Sequence, residues 1–137
     1  MNRKAKCSCG SLQIELHGEP KLVVTCNCFK CQKRTGSVFG VGAYFDCDQV
    51  VGNTGDGKIY QDMSEAGKTV NRTFCPNCGS TVYWDAEFQP NRVGVAVGCF
   101  EDPQFPEPIL SAWTRSKHSW VIYPSHWRQS ETQEFKR

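Results

Sequence analysis

The sequence predicts an all-β fold built from short antiparallel sheets, and three observations predict it. Apolar residues recur in brief alternating or continuous β-rich runs separated by turn residues, and no long amphipathic helix appears. Turn formers are abundant, with 12 Gly and 7 Pro in 137 residues. Nine cysteines are present, and seven fall into three tight groups: Cys7 and Cys9; Cys26, Cys28 and Cys31; Cys75 and Cys78. Such short, turn-forming knuckles are how a small β domain supplies thiolates to a metal ion, zinc above all.

Taken in order, Met1–Lys6 is basic and reads as a flexible lead-in. Cys7-Ser8-Cys9-Gly10 is a tight turn. Leu12, Ile14 and Leu16 alternate with Gln13, Glu15 and His17, the pattern of a half-buried strand. Leu22–Thr25 reads as a second strand delivering Cys26, so a hairpin is expected between the first knuckle and the triple cysteine. Polar residues 32–37 suit a helical turn ended by Gly36. Val38–Phe45 is β-rich, with glycines that weaken a strand unless something approaches closely there. Strands are expected at Lys58–Tyr60, Thr69–Phe74, Thr81–Trp84 and Arg92–Phe100. Pro103, Pro106 and Pro108 then exclude regular structure. A last strand or two is expected from Trp113 and Ser119–Tyr123. The expected organisation is the lead-in 1–6, a single zinc-binding domain over 7–127 and a polar tail over 128–137.

A chain of this length can bury its own core. No stretch approaches the roughly 20 apolar residues that span a bilayer, and no apolar run follows the basic N-terminus to make a signal peptide. The expectation is a cytoplasmic protein, where clustered cysteines stay reduced and serve metals or catalysis. The formal charge is +2. Seven thiolates and two zinc dications would take it to −1, and the basic residues are scattered, so no nucleic-acid footprint and no membrane partner is expected.

Cys75-Pro76-Asn77-Cys78-Gly79 is the strongest motif: proline stiffens the turn, and a left-handed glycine lets backbone amides point at the sulfurs. Its partners are open on spacing alone. Cys28 and Cys31 would make a zinc ribbon with it and leave three cysteines over. Cys7 and Cys9 would close a four-thiolate site and leave Cys26, Cys28 and Cys31 as a second unit, which uses all seven. Three ligands are one short of a tetrahedron, the arrangement that keeps an open position.

C-x-C-G, then C-x-C-x-x-C followed by Lys/Arg and Gly-Ser, then F-C-P-x-C-G-S resembles the glutathione-dependent formaldehyde-activating enzyme family, which includes centromere protein V. Gly98-Cys99-Phe100-Glu101-Asp102-Pro103 and the segment His118–Tyr123 extend the likeness from Cys7 to about Trp127. The resemblance implies a β-tent of antiparallel sheets and two zinc ions per chain. It implies that Cys7, Cys9, Cys75 and Cys78 hold a structural zinc and that Cys26, Cys28 and Cys31 hold one with an exchangeable fourth position. It also implies a carbon–sulfur lyase-type activity with glutathione as co-substrate, the thiol adding to an aldehyde such as formaldehyde.

Three thiolates outweigh a dication by one charge, and a substrate thiolate raises the excess to two. Such a centre suits holding a thiolate better than activating a carbonyl. Lys30, Lys33 and Arg34 are the candidate counter-charges and could meet the carboxylates of glutathione. Cys99 is expected in the core; Cys47, between two aspartates, is the better candidate for a fourth ligand or redox partner. His17 should face solvent, and His118 and His126 should pack or hydrogen-bond. Phe29, inside the ligand loop, is a candidate to line a pocket. Two other readings compete: a non-enzymatic zinc-binding protein-interaction module, and a redox protein like methionine sulfoxide reductase B, which needs a reactive cysteine outside the metal sites.

Overall fold

A computed structural model describes residues 1–133. It is a β protein with one short helix among these residues. In chain order come β1 (Asn2–Lys6), β2 (Gln13–His17), β3 (Leu22–Cys26), α1 (Phe29–Thr35), β4 (Gly40–Asp46) and β5 (Val50–Thr54). They are followed by β6 (Lys58–Met63), β7 (Thr69–Phe74), β8 (Thr81–Ala86), β9 (Arg92–Ala96), β10 (Leu110–Ala112) and β11 (Arg128–Gln129). A small sheet has the order β1-β2-β5, and a larger one the order β11-β10-β3-β4-β9-β8-β7-β6. All pairings are antiparallel except β10 with β3 and with β11, which are parallel.

The layers follow from side-chain alternation. Ala5, Ile14 and Leu16 of the small sheet pack on Phe45, Val82, Val93 and Val95 of the large one in a first core. Burial of each large aliphatic side chain there contributes about 1.5–3 kcal/mol. The opposite face of the large sheet carries a second core of Val24, Tyr44, Val70, Trp84, Leu110 and Trp113. A bulge sorts β8 between the two: Thr73 pairs with Tyr83 but Phe74 with Thr81, leaving Val82 extra. Val82 and Tyr83 therefore both serve the first core while Trp84 serves the second.

The registers bring the turns that carry Cys26, Cys28, Cys31, Cys75 and Cys78 to the same end of the large sheet, while Cys47, just past the far end of β4, lies at the opposite end. Cys26 at the end of β3 faces Gly40 at the start of β4. Ala96 at the end of β9 faces Gly42, and Phe74, just before Cys75, faces Thr81 at the start of β8. Beyond Ala96 the chain leaves the sheet as a 3-10 helix, Val97–Phe100.

Several sequence expectations change here. Residues 2–6 are not a loose lead-in but strand β1, paired along its length with β2; Ala5, fully buried, anchors it. The hairpin expected between β2 and β3 does not form, because β2 pairs with β1 and β5 while β3 pairs with β4 and β10. The strand expected from Arg92 stops at Ala96. Ser119–Tyr123 forms no strand: Val121 alone is buried, while Trp120 and Ile122 are exposed. The tail expected from residue 128 begins with β11, whose neighbour Ser130 donates its amide to Ser111 at 2.9 Å. Residues 134–137 of that tail lie outside the described residues.

Candidate metal centres

The first centre is made by two turns from different sheets. Cys7 and Cys9 follow β1, and Cys75 and Cys78 join β7 to β8; their four sulfurs lie within 4.8 Å of one another. Cys9 Sγ is 3.7 Å from both Cys7 Sγ and Cys75 Sγ. A tetrahedron with Zn–S bonds of about 2.3 Å has sulfur–sulfur edges of about 3.8 Å, so the spacing fits that ion. Gly10 and Gly79 both take φ +83°, which closes each turn. The Leu12 amide donates to Cys7 Sγ at 3.2 Å, and Ser11 and Ser80 hydroxyls lie 3.1 Å from Cys9 Sγ and 3.4 Å from Cys78 Sγ. The Ser80 hydroxyl and amide bring the Cys78 thiol down to about 5, and Ser11 chiefly brings Cys9 to about 7. Burial pushes Cys7 up. Cys7 and Cys75 are themselves part of the first core.

The second centre is Cys26, Cys28 and Cys31, again within 4.8 Å of one another. Cys26 ends β3, and Cys28 caps α1: its sulfur accepts the Cys31 amide at 3.3 Å. The helix closes at Gly36 in the left-handed conformation, as expected, with Lys33 and Arg34 in its last turn. The residue between the first two thiols, Asn27, is fully buried. Its Nδ2 donates to Ser111 Oγ at 3.0 Å and to the Ala112 carbonyl at 2.8 Å, and its Oδ1 accepts from Tyr123 Oη at 2.6 Å. The ligand loop is thereby pinned to β10 and to the C-terminal segment.

The three thiols share their protons unequally. Cys31 is held well below the ordinary thiol value by hydrogen bonds from Cys26 and Cys28, with Arg34 and Arg72 assisting. The same hydrogen bonds, then burial, push Cys26 far up. A positive ion among these sulfurs would favour the thiolate form of all three.

The triad lines a cavity of about 70 Å³, together with Lys30, Arg34, Arg72, Tyr44, Trp84 and Trp113. Trp113 has a left-handed backbone, φ 59° and ψ 43°, a strained conformation at the wall of the cavity. Trp84 lies where strand glycines leave room: a Cβ on Gly94 would come within 2.2 Å of its Nε1, and one on Gly42 within 2.9 Å of the ring. Its Nε1–H donates to Tyr44 Oη at 3.2 Å. The Arg34 guanidinium stacks on its ring at 4.6 Å. The close approach that the glycines of β4 foretold is thus that of Trp84 and, at Gly40, of Arg34.

The expected basic cluster is divided. Arg34 and Lys30 reach the cavity, whereas Lys33 is exposed and does not line it. Lys30 Nζ bonds Asp62 at 3.1 Å, and Asp62 also holds Arg72 at 3.2 Å. Arg72, Asp62, Asn27, Tyr123 and Trp84 carry no motif in sequence and were not anticipated; only an asparagine set between two ligand cysteines was a usable signal. Phe29 is exposed and lines no part of the cavity. Cys47 is exposed on a different turn, and neither it nor Cys99 joins either sulfur group, so no fourth ligand comes from Cys47. His17 is exposed; His118 packs edge-on against Trp120, and His126 bonds Glu107 at 2.6 Å.

Beside the triad cavity lies a second, open groove of about 430 Å³. It is lined by Cys78, Ser80 and Thr81 on one side, by Thr35, Phe39 and Val41 on the other, and by Gly98 and Cys99. Arg34 and Gly40 line both spaces.

The profile of the glutathione-dependent formaldehyde-activating enzyme family matches residues 2–116. Among solved structures, the crystal structure of a Rhodobacter sphaeroides protein, a Northeast Structural Genomics target, is similar: 25% identical, with a TM-score of 0.55, over 74% of this chain and 92% of that one. Among curated proteins none matches the chain at a significant level.

Proposed function

The chain belongs to the glutathione-dependent formaldehyde-activating enzyme family, and from that premise we propose that it joins a small thiol, glutathione in the first instance, to an aldehyde. In this reading Cys7, Cys9, Cys75 and Cys78 hold a structural zinc and Cys26, Cys28 and Cys31 a second one. The observation that carries it is the contrast between the centres: four thiols complete one donor set, while three, facing a cavity, make up the other. Zinc bound by the three thiols would supply an open coordination position at which a thiol is stabilised as thiolate.

The protein's own side chains meet the charge this creates. Lys30, Arg34 and Arg72 reach the cavity, which Glu65 also lines, and Asp62 holds Lys30 and Arg72 in place. Arg34 has no ion-pair partner among the described residues, and its stack on Trp84 leaves its donors free for a carboxylate. Trp84, Trp113, Tyr44 and Val70 make the walls apolar, which strengthens each of these interactions. The reaction is an addition: the S–C bond forms, the thiol proton ends on the former carbonyl oxygen, and nothing is oxidised.

The redox alternative loses support, since neither Cys47 nor Cys99 lines the triad cavity, and burial pushes the Cys99 thiol up. All nine cysteines are unpaired, which suits a reducing compartment such as the cytoplasm. No helix among the described residues is long and apolar enough to cross a membrane. The test is zinc content per chain together with consumption of formaldehyde in the presence of glutathione. Cys28→Ser, which keeps an N-cap for α1, should lose one of two zincs and the thiol-dependent activity while staying folded. Unfolding of that variant would make the second centre structural and refute the catalytic reading.

A further inference from the structure

We infer that the open groove beside the triad, between the ends of β4 and β8, seats the peptide body of the thiol substrate, with a substrate carboxylate on Arg34. This rests on the thiol–aldehyde reading above and adds to it where the non-reacting part of the thiol goes.

With a water's share of liquid volume at about 30 Å³, a cavity of about 70 Å³ receives only two or three occupants of that size, enough for a sulfur and a one-carbon unit. A tripeptide thiol cannot enter it whole. The adjoining groove, at about 430 Å³, falls in the range of roughly 300–1,000 Å³ that holds small organic ligands.

The groove has a topological origin. β9 lies between β4 and β8, and its ladder with β4 ends at the pair Gly42–Ala96. The flanking strands continue to Gly40 and to Thr81, each still paired on its outer side, with β3 and β7 respectively. The chain meanwhile turns away as the Val97–Phe100 helix. A short extended segment, such as a peptide thiol, matches a gap left by a strand that has ended.

Position and charge complete the case. Gly40 is directly across the ladder from Cys26 and lines both spaces, and the room beside it is taken by the Arg34 guanidinium, which therefore stands between groove and triad. Arg34 stands at the same junction and is free of ion pairs among the described residues. The Thr81 side chain adds a polar group to the groove wall, whereas the Thr35 hydroxyl donates to the Cys31 carbonyl and the Ser80 hydroxyl accepts the Ser8 amide.

The test uses the zinc-loaded protein and S-methylglutathione, which has the tripeptide body but no free thiol. Gly98 lines the groove, and a Cβ added there meets nothing within 4 Å, so Gly98→Ala, Gly98→Leu and Gly98→Phe fill the groove progressively without a clash at the backbone. By calorimetry, S-methylglutathione should bind the unmodified protein and weaken stepwise along the series, by about tenfold or more at phenylalanine. Arg34→Gln should weaken it as well. In turnover with formaldehyde, KM for glutathione should rise along the series relative to KM for 2-mercaptoethanol, which has no peptide body. Equal binding to the unmodified protein and Gly98→Phe, or no binding to the unmodified protein, overturns the inference. Failure of the functional reading shows itself separately, as no formaldehyde consumption with either thiol, while the calorimetry still decides the groove.

Discussion

Gly94→Ala is the sharpest test of how the site is built. Alanine is ordinarily favoured over glycine inside a strand, by about 0.5–1 kcal/mol. Here the new Cβ would stand 2.2 Å from Trp84 Nε1 and 2.5 Å from Cε2, more than an ångström inside contact distance. The ring has little freedom to retreat: it is 7% exposed, its outer face carries Arg34 at 4.6 Å, and its Nε1–H is tied to Tyr44. Overpacking of this kind costs about 1–3 kcal/mol, and the lost indole hydrogen bond adds about 1 kcal/mol. After the gain from alanine, the net destabilisation is about 2–3 kcal/mol. For a chain of this size that lowers Tm by roughly 10 °C. Thermal unfolding of Gly94→Ala in the unmodified and Trp84→Leu backgrounds measures it, and the smaller leucine should recover about 2 kcal/mol of the cost. A neutral or stabilising Gly94→Ala, or an equal cost in both backgrounds, would refute the claim that this glycine exists to seat Trp84.

Tyr123→Phe leaves buried Asn27 Oδ1 without its 2.6 Å partner, so stability should fall by about 1–2 kcal/mol; a chelator should strip zinc faster from the triad while the four-thiolate centre keeps its rate. Cys75→Ser should melt the domain, since Cys75 belongs to the first core and structural zinc carries folding free energy; circular dichroism beside folded Cys28→Ser checks this. Burial pushes the Asp62 carboxyl up, but the Met63 amide, Lys30 and Arg72 outweigh it and hold the value below the usual range. The unfolded chain therefore takes up this proton first. The contribution is fully present above about pH 4 and is lost as pH falls through the folded-state value. Asp62→Asn should accordingly show a flatter fall in urea midpoint than the unmodified protein between about pH 5 and 3.

Much of the fold was legible because β-strand patterning is local. Leu12, Ile14 and Leu16 alternate and are buried, and Thr69–Phe74 forms the strand it spells. The errors lie where pairing is decided at a distance. Met1–Lys6 has no apolar pattern beyond Ala5, yet β2 offers it a partner and it becomes a strand. Ser119–Tyr123 has strong β-formers but no neighbour, and it stays irregular. Strand propensity describes a side chain's fit to a sheet, not the presence of a strand to pair with.

The same division holds at the metal centres. Spacing within each turn is a short-range property, and it marked all seven thiols as ligand candidates because two sulfurs a few residues apart can grip one ion whatever the rest of the chain does. Which turns share an ion was undecidable from spacing. The packing of the small sheet on the large one brings Cys75 and Cys78 to Cys7 and Cys9, four thiols that could share an ion, and leaves Cys26, Cys28 and Cys31 against a cavity. Arg72 and Trp84 reach that cavity, and Asp62 reaches Lys30 and Arg72 at its wall, from strands more than 30 residues along the chain, through contacts that only tertiary packing creates.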